Sequence, residues 1–458
     1  MIEITDRNRG LFAGLAVFLA IAAVSAGLMI SWSEQWLKLI LLGGMLFIFM
    51  AAIFYRNRSI ILAVYLLTIV NLDYFRLLSE PFNITIDILF SMALIALAIP
   101  LFVTGRLSWK ETPIQKGFLF FLGATLICVF LSVDLLVSVK RWFRHVNYFI
   151  LICLILDTAR TRNTVEKFTR IIIYSAVVPC LVGYYGQLAR IPSLIGENLR
   201  FIYGIDMVRI KSTLSHANTF GLYLGMIIIT TIGVLLKSRK HPGISDRIMP
   251  LLLLLLTAPM LYFTYSRIGW ILTGLATILL LFLQKKWRLL TVFPWLFGLF
   301  IWRTSGFVTR WSDIIDTTQP DSLEWRWSLY AYSLRKFIDK PIFGSGPGTF
   351  LEFVKFGKGY SQHHLWIGSL VEVGVVGTLA MIVLLVVVWA QLIQCARKKP
   401  TGLNLLVLSI FSAFMIVSFA GDPFDVPSVV IYLWALISLA LAEYRHIGPM
   451  PGNETVAQ

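Results

Sequence analysis

Apolar runs long enough to cross a bilayer recur from one end of this chain to the other, and little else is compatible with that pattern. They fall at 11–32, 36–55, 59–75, 86–104, 116–138, 145–157, 168–188, 216–236, 249–265, 268–284, 289–303, 363–395, 402–420 and 428–444. A helix needs about 20 apolar residues to cross roughly 30 Å of hydrocarbon. Only helices or closed barrels satisfy the backbone there, and continuous runs without alternation point to helices. Charged residues make up 14% of the chain, against about 25% in a soluble domain. The expected fold class is an all-α integral membrane protein. It is a polytopic helical bundle of about 12–14 transmembrane helices with one large, partly helical outer segment. The first run follows Arg7 and Arg9 and ends without a small-residue cleavage site. It reads as a retained span rather than a removed signal.

Loop charge sets the orientation. Basic clusters at 55–59, 159–163, 237–240, 285–288 and 397–399 fall on alternate loops, which places them and both termini in the cytoplasm. The chain then divides into N-terminal spans (1–138), central spans with outer-face arginines (139–302), the outer segment (303–362), C-terminal spans (363–445) and a cytoplasmic tail (446–458). The basic residues on the opposite side stand against this rule. Lys140, Arg141 and Arg144 crowd a stretch read as a short outer loop, Arg209 and Lys211 precede the span at 216, Arg267 begins another span, and Arg326 lies in the outer segment. An anionic ligand at the outer face accounts for them. So does local pairing with Asp313, Asp316, Asp321 and Glu324 together with lipid headgroups.

Several chemistries have no support. The chain has no phosphate-binding glycine loop, dinucleotide fingerprint or zinc-protease motif. Its four cysteines sit in apolar runs at spacings that fit neither a metal site nor a disulfide framework. A net charge of +16 does not imply nucleic acid, because much of the excess faces an anionic cytoplasmic leaflet.

The polar residues that remain gather at the outer ends of spans in the second half. Arg209 leads through Ser215 to His216 and Asn218 at the mouth of one span. Ser266 and Arg267 form a tight hairpin between two spans, with Ser266 suited to cap the second. Residues 324–337 read as an interfacial amphipathic helix, followed by a Gly/Pro loop at 341–350. His363 and His364 then open a run containing Glu372, Gly374 and Gly377, which is too long for one straight span. Asp422 and Asp425 lie in a short outer loop, as cation ligands or as a capped turn.

These blocks, in this order and on one face, resemble the O-antigen ligase and polymerase superfamily of bacterial envelope enzymes. The resemblance covers roughly residues 130–390. It rests on Arg209 with His216 and Asn218; Ser266, Arg267 and Gly269; Arg326 and Tyr330; Pro341, Gly344, Gly346 and Phe350; and His363 with Glu372, Gly374 and Gly377. Ligase members carry His, then an amide or hydroxyl residue, nine residues and G-x-x-G. Here the spacing from His363 to Gly374 and Gly377 matches, with His364 in the second position.

The resemblance implies a glycosyltransferase of the bacterial inner membrane working at the periplasmic face. The implied donor is a glycan on an undecaprenyl-diphosphate carrier, and the transfer uses no nucleotide sugar, ATP or metal. The acceptor is lipid A core for a ligase, the favoured label, or another lipid-linked repeat unit for a polymerase. Arginine suits such a donor because its planar fork binds phosphate oxygens and stays charged. Arg209 and Arg267 are the foremost diphosphate ligands, then Arg326, with Arg141 and Arg144 as further candidates. His363 is the candidate base for the acceptor hydroxyl, with His216, Asn218, Ser266, His364 and Glu372 in support. Direct attack inverts the anomeric centre. A transporter is the competing class, but transporter charges usually gather at the bilayer midplane rather than at one surface.

Overall fold

The computed structural model describes residues 57–72, 76–78, 84–191, 194–200, 206–236, 244–292, 295, 323–355 and 364–446. The expected spans 11–32 and 36–55, most of 289–303, and the candidate base His363 lie outside them. Within them the chain is a helical bundle. In order it runs α1 Arg58–Leu72, α2 Ile86–Val103, α3 Pro113–Phe130, α4 Leu135–Thr158, α5 Arg162–Tyr174, α6 Val177–Ala189, α7 Ala217–Leu236, α8 Ile244–Phe263 and α9 Arg267–Leu283. The outer segment contributes α10 Leu323–Asp339 and the short α11 Phe350–Val354, and α12 Leu365–Lys398, α13 Gly402–Val417 and α14 Pro427–His446 follow. Five helical stretches are apolar and long enough to cross a membrane: 113–130, 162–189, 217–236, 365–398 and 427–445. Five shorter apolar helices accompany them. The protein is an all-α polytopic membrane protein.

Helix starts follow local chemistry. Thr112 and Gln115 form a reciprocal capping box ahead of Pro113, so α3 begins there. Thr161 and Thr401 accept the backbone N–H three residues on and start α5 and α13 in the same way. In α14 and α7, 89% and 78% of the apolar window is buried, so these two helices form the centre. Phe120, Ile127, Leu255, Leu379 and Val386 are exposed on the surrounding helices, where the solvent is lipid. At one end of the bundle Asp157 pairs with Arg58 and Arg160, Arg445 pairs with Glu111 at 2.7 Å, and Lys399 donates to the Tyr444 carbonyl at 2.7 Å. That is the end which loop charge assigns to the cytoplasm.

Two expectations are corrected. The run 116–138 is not one span: α3 stops at Phe130, and Asp134 accepts the Val137 N–H at 3.0 Å to start α4. Consequently Lys140, Arg141 and Arg144 lie within a helix of 24 residues and not in a loop. Arg141 is accommodated there because it turns to Asp425 on the facing turn, as intramembrane charges usually pair. The run 168–188 lies within the membrane-long stretch 162–189, which is interrupted near Ser175 between α5 and α6. Pro179 has no N–H to give the Ser175 carbonyl. Two small antiparallel ribbons, Arg76–Leu78 with Ile84–Thr85 (β1, β2) and Ile195–Arg200 with Asp206–Ile210 (β3, β4), join the helices.

Candidate functional site

Arg209 leaves β4 and is buried, 3% exposed. Its Nε donates to the Thr264 carbonyl at 3.2 Å and its Nη2 to Asn218 Oδ1 at 2.5 Å. The Asn218 backbone N–H in turn donates to His216 Nδ1 at 3.0 Å. The Arg, His and Asn of the first block therefore close on one another at the start of α7. Thr264 belongs to the three-residue turn that joins α8 to α9. Tyr265 takes φ 47° there, and Ser266 caps α9 by accepting the Gly269 N–H at 3.3 Å. Arg267, half-buried, is the first residue of α9.

Two glycines allow this approach. A Cβ on Gly269 would lie 2.7 Å from the Gly221 carbonyl carbon, and one on Gly221 would lie 2.5 Å from Ser266 Cβ. Small residues at a helix crossing let backbones meet. The N-termini of α7 and α9 thus sit together beside Arg209 and Arg267. Helix N-termini carry positive partial charge, so this corner concentrates positive potential.

A second group lies on the outer segment and the mouth of α12. Arg326 on α10 donates through Nη1 to the Ala420 carbonyl at 3.2 Å. Tyr330, one turn on, meets the His364 ring edge-to-face at 5.1 Å between centroids. His364 is the N-cap of α12, its Nδ1 accepting the Ile367 N–H at 3.4 Å. Accepting at Nδ1 places the neutral ring's proton on Nε2. Burial lowers the His364 pKa below its ordinary value of 6.5, because it penalises the charged form. The following N–H, that of Leu365, reaches the carbonyls of Ser418 and Gly421 at 3.3 and 3.2 Å.

The third group explains the two glycine-rich blocks together. α12 is broken at Gly374, which has φ 63° and ψ −167°. At the break the loop after α10 takes over the helix's own bonds. The N–H groups of Val375 and Val376 donate to the carbonyls of Pro341 and Ile342 at 2.9 and 3.1 Å. The carbonyls of Val371 and Glu372 accept from Ser345 and Gly346 at 2.9 and 2.7 Å. In a continuous helix those four groups would pair with each other. The Glu372 carboxylate completes the splice by accepting the N–H groups of Gly348 at 2.9 Å and Phe350 at 3.3 Å. Gly344, Gly346 and Gly348 all take positive φ in this loop. Gly348 packs on Arg141, which pairs with Asp425 and lies within electrostatic range of Glu372 and Asp422. Asp422 closes its own turn by accepting the Asp425 N–H at 3.1 Å, so the capped-turn geometry is present.

The three groups meet at residues 418–425, and Ile268, next to Arg267, packs against Gly421. Arg144 lies one turn beyond Arg141 on α4, where its charge acts on His145 and Tyr148. Thr264 and the carbonyl of Ala420 are site-building groups that motif reading did not single out. Backbone acceptors leave no mark in a sequence.

Residues 252–382 match the family model described as O-antigen ligase. This segment is similar to the O-antigen ligase family. It runs from α8 through the first half of α12 and includes Arg267, Arg326 and the spliced helix break. Arg209 and Asn218 lie ahead of it. A search of curated proteins finds no match to the chain. The protein is thus a polytopic membrane protein in which residues 252–382 are similar to the O-antigen ligase family.

Proposed function

We propose that the protein transfers a glycan from an undecaprenyl-diphosphate carrier to an acceptor hydroxyl at the periplasmic face of the inner membrane. The favoured acceptor is lipid A core, making the protein an O-antigen ligase. The observation that carries this reading is the corner formed by buried Arg209, Arg267 and the N-termini of α7 and α9. A lipid diphosphate already bears negative charge and gains more as the glycosidic bond breaks. Fixed cations and helix N-termini aimed at that charge stabilise the transition state over the ground state. Arg326, held by the Ala420 carbonyl, serves the same diphosphate from the outer segment. Arg141 and Arg144 are more remote contributors, and Arg141 is engaged by Asp425.

The acceptor hydroxyl loses its proton to the His363 imidazole as its oxygen attacks the anomeric carbon from the face opposite the diphosphate. The carrier diphosphate leaves, and the anomeric centre inverts. His363 immediately precedes the N-cap of α12. His216 and Asn218 orient Arg209, Ser266 orients the start of α9, and Glu372 holds the loop that follows α10. Charge neutralisation by arginine lets the reaction proceed without metal or nucleotide.

A second reading, polymerisation of lipid-linked repeat units, is favoured by one observation. His364 stands where ligase members carry an amide or hydroxyl, and it caps α12. Complementation separates the two. Rescue of long chains on lipid A core in a ligase-deficient strain alone supports the ligase. Rescue of chain length in a polymerase-deficient strain alone supports the polymerase. Transfer of unmodified carrier lipid across the bilayer, with no new glycosidic bond, would overturn both.

A further inference from the structure

The turn between α13 and α14 lies outside the residues matched to the O-antigen ligase family, yet it touches every group of the site. The Ser418 and Gly421 carbonyls receive the Leu365 N–H, next to His363 and His364. The Ala420 carbonyl receives Arg326. Gly421 lies against Ile268, so close that a Cβ would sit 2.3 Å from Ile268 Cδ1. Asp425 pairs with Arg141 on α4. The turn itself is fixed. Asp422 closes it by accepting the Asp425 N–H at 3.1 Å. Phe424 packs on Phe414 of α13 at 6.0 Å between centroids, and Pro427 starts α14. Carbonyls at a helix C-terminus have no partner within their own helix. Here the carbonyl of the Ser418 cap and those of Ala420 and Gly421 just past α13 hold two other elements, the arginine of α10 and the mouth of α12.

We propose that residues 418–426 register the site, with Gly421 and Asp425 as positioning residues. Gly421 sets how closely the Arg267 end of α9 approaches the mouth of α12, and Asp425 locks that turn to α4. Gly421 is not among the glycines with positive φ, so its backbone accepts a side chain. The cost of adding one arises from contact with Ile268. An added methyl can be absorbed by rotation of Ile268, whereas a valine cannot. This inference rests on the transferase reading of Arg267, Arg326 and His363, but part of its test does not.

Gly421→Val, Gly421→Val with Ile268→Ala, and Asp425→Asn are compared with wild type, full length in nanodiscs, after thermal melting confirms folding. Spin labels on cysteines at the exposed positions Trp327 of α10 and Ile271 of α9 report their separation, since the four native cysteines are buried. Transfer kinetics are measured with native lipid-linked glycan. Gly421→Val and Asp425→Asn are expected to shift or broaden the separation. They should lower kcat by roughly 10- to 100-fold, the order that a 1 Å misplacement costs, with KM little changed. Removing the Ile268 side chain should restore Gly421→Val to within about threefold in both measurements, an allowance near the additivity error. Folded Gly421→Val and Asp425→Asn with wild-type separation and kcat overturn the proposal, and so does a double variant that does not recover. If Gly421→Val does not fold, Asp425→Asn decides alone. If wild type transfers no glycan but the separation responds, the transferase reading falls and the registration stands.

Discussion

Replacing Gly374 by alanine should unstitch the outer segment from α12 while leaving the rest of the bundle folded. Gly374 adopts φ 63° and ψ −167°, a region that is essentially glycine-only and costs other residues about 1–3 kcal/mol. Its Cβ would also fall 2.3 Å from the Ile342 carbonyl oxygen and 2.6 Å from the Gly344 nitrogen. Neither is a flexible side chain that can move aside. The relaxed alternative is a straight α12 in which Val375 and Val376 bond back to Val371 and Glu372. That regains two hydrogen bonds and loses the four that hold the loop, together with the two to the Glu372 carboxylate. A net loss of four bonds at about 0.5–1.5 kcal/mol each gives roughly 2–6 kcal/mol. Part of this returns as the loop meets water, so about 2–4 kcal/mol is the working figure. Hydrogen exchange of the purified protein in detergent reads it directly. The Ser345 and Gly346 amides should exchange about 30- to 1000-fold faster in Gly374→Ala, since each 1.4 kcal/mol is a factor of ten. Amides in α14 should be unchanged. Gly123→Ala on the neighbouring α3 is the control, because its Cβ meets nothing within 4 Å. It should leave the loop protected and melt within about 1 kcal/mol of wild type. Native protection of Ser345 and Gly346 in Gly374→Ala would refute the splice.

Other perturbations bear on the site. Asn218→Ala removes the 2.5 Å partner of Arg209 and should lower transfer by roughly 10- to 100-fold, whereas Asn218→Asp, which keeps an acceptor, should lose less. Arg267→Ala should cost about 10²–10³ in kcat, the usual effect of losing one charge-stabilising donor, with membrane levels unchanged by immunoblot. His364 favours its neutral form when buried, so its contribution to stability is intact above the ordinary value of 6.5 and declines as pH falls below that. Thermal melting should fall on that side in wild type, while His364→Asn, which caps without titrating, should be flatter. Equal slopes for the two proteins would exclude His364 as the titrating group.

Much of this protein is legible in its sequence because membrane helices announce themselves by length and apolarity. The mouths of α7 and α9 were readable for a related reason: polar residues that lead straight into an apolar run must lie near its end. The stretch from Lys140 to Arg144 misled because its charge density reads as a loop, while the carboxylates that accommodate Arg141 in a helix, Asp425 and Glu372, are distant in sequence. The break in α12 was half visible. Its excessive length and its glycines were plain, but the exchange of hydrogen bonds with residues 341–346 is a tertiary event between backbones. Side-chain identity records only that no Cβ fits at Gly344 and Gly374.

The central claim, glycan transfer from a lipid diphosphate at the Arg209–Arg267 corner, is tested most directly with purified protein in liposomes. Lipid-linked glycan and lipid A core are supplied without nucleotide sugar. Wild type should release one undecaprenyl diphosphate for each glycan joined to the acceptor, with the anomeric configuration inverted, and Arg267→Ala and His363→Ala should do neither. Equal turnover by wild type and both variants would contradict the account, as would carrier release without a new glycosidic bond.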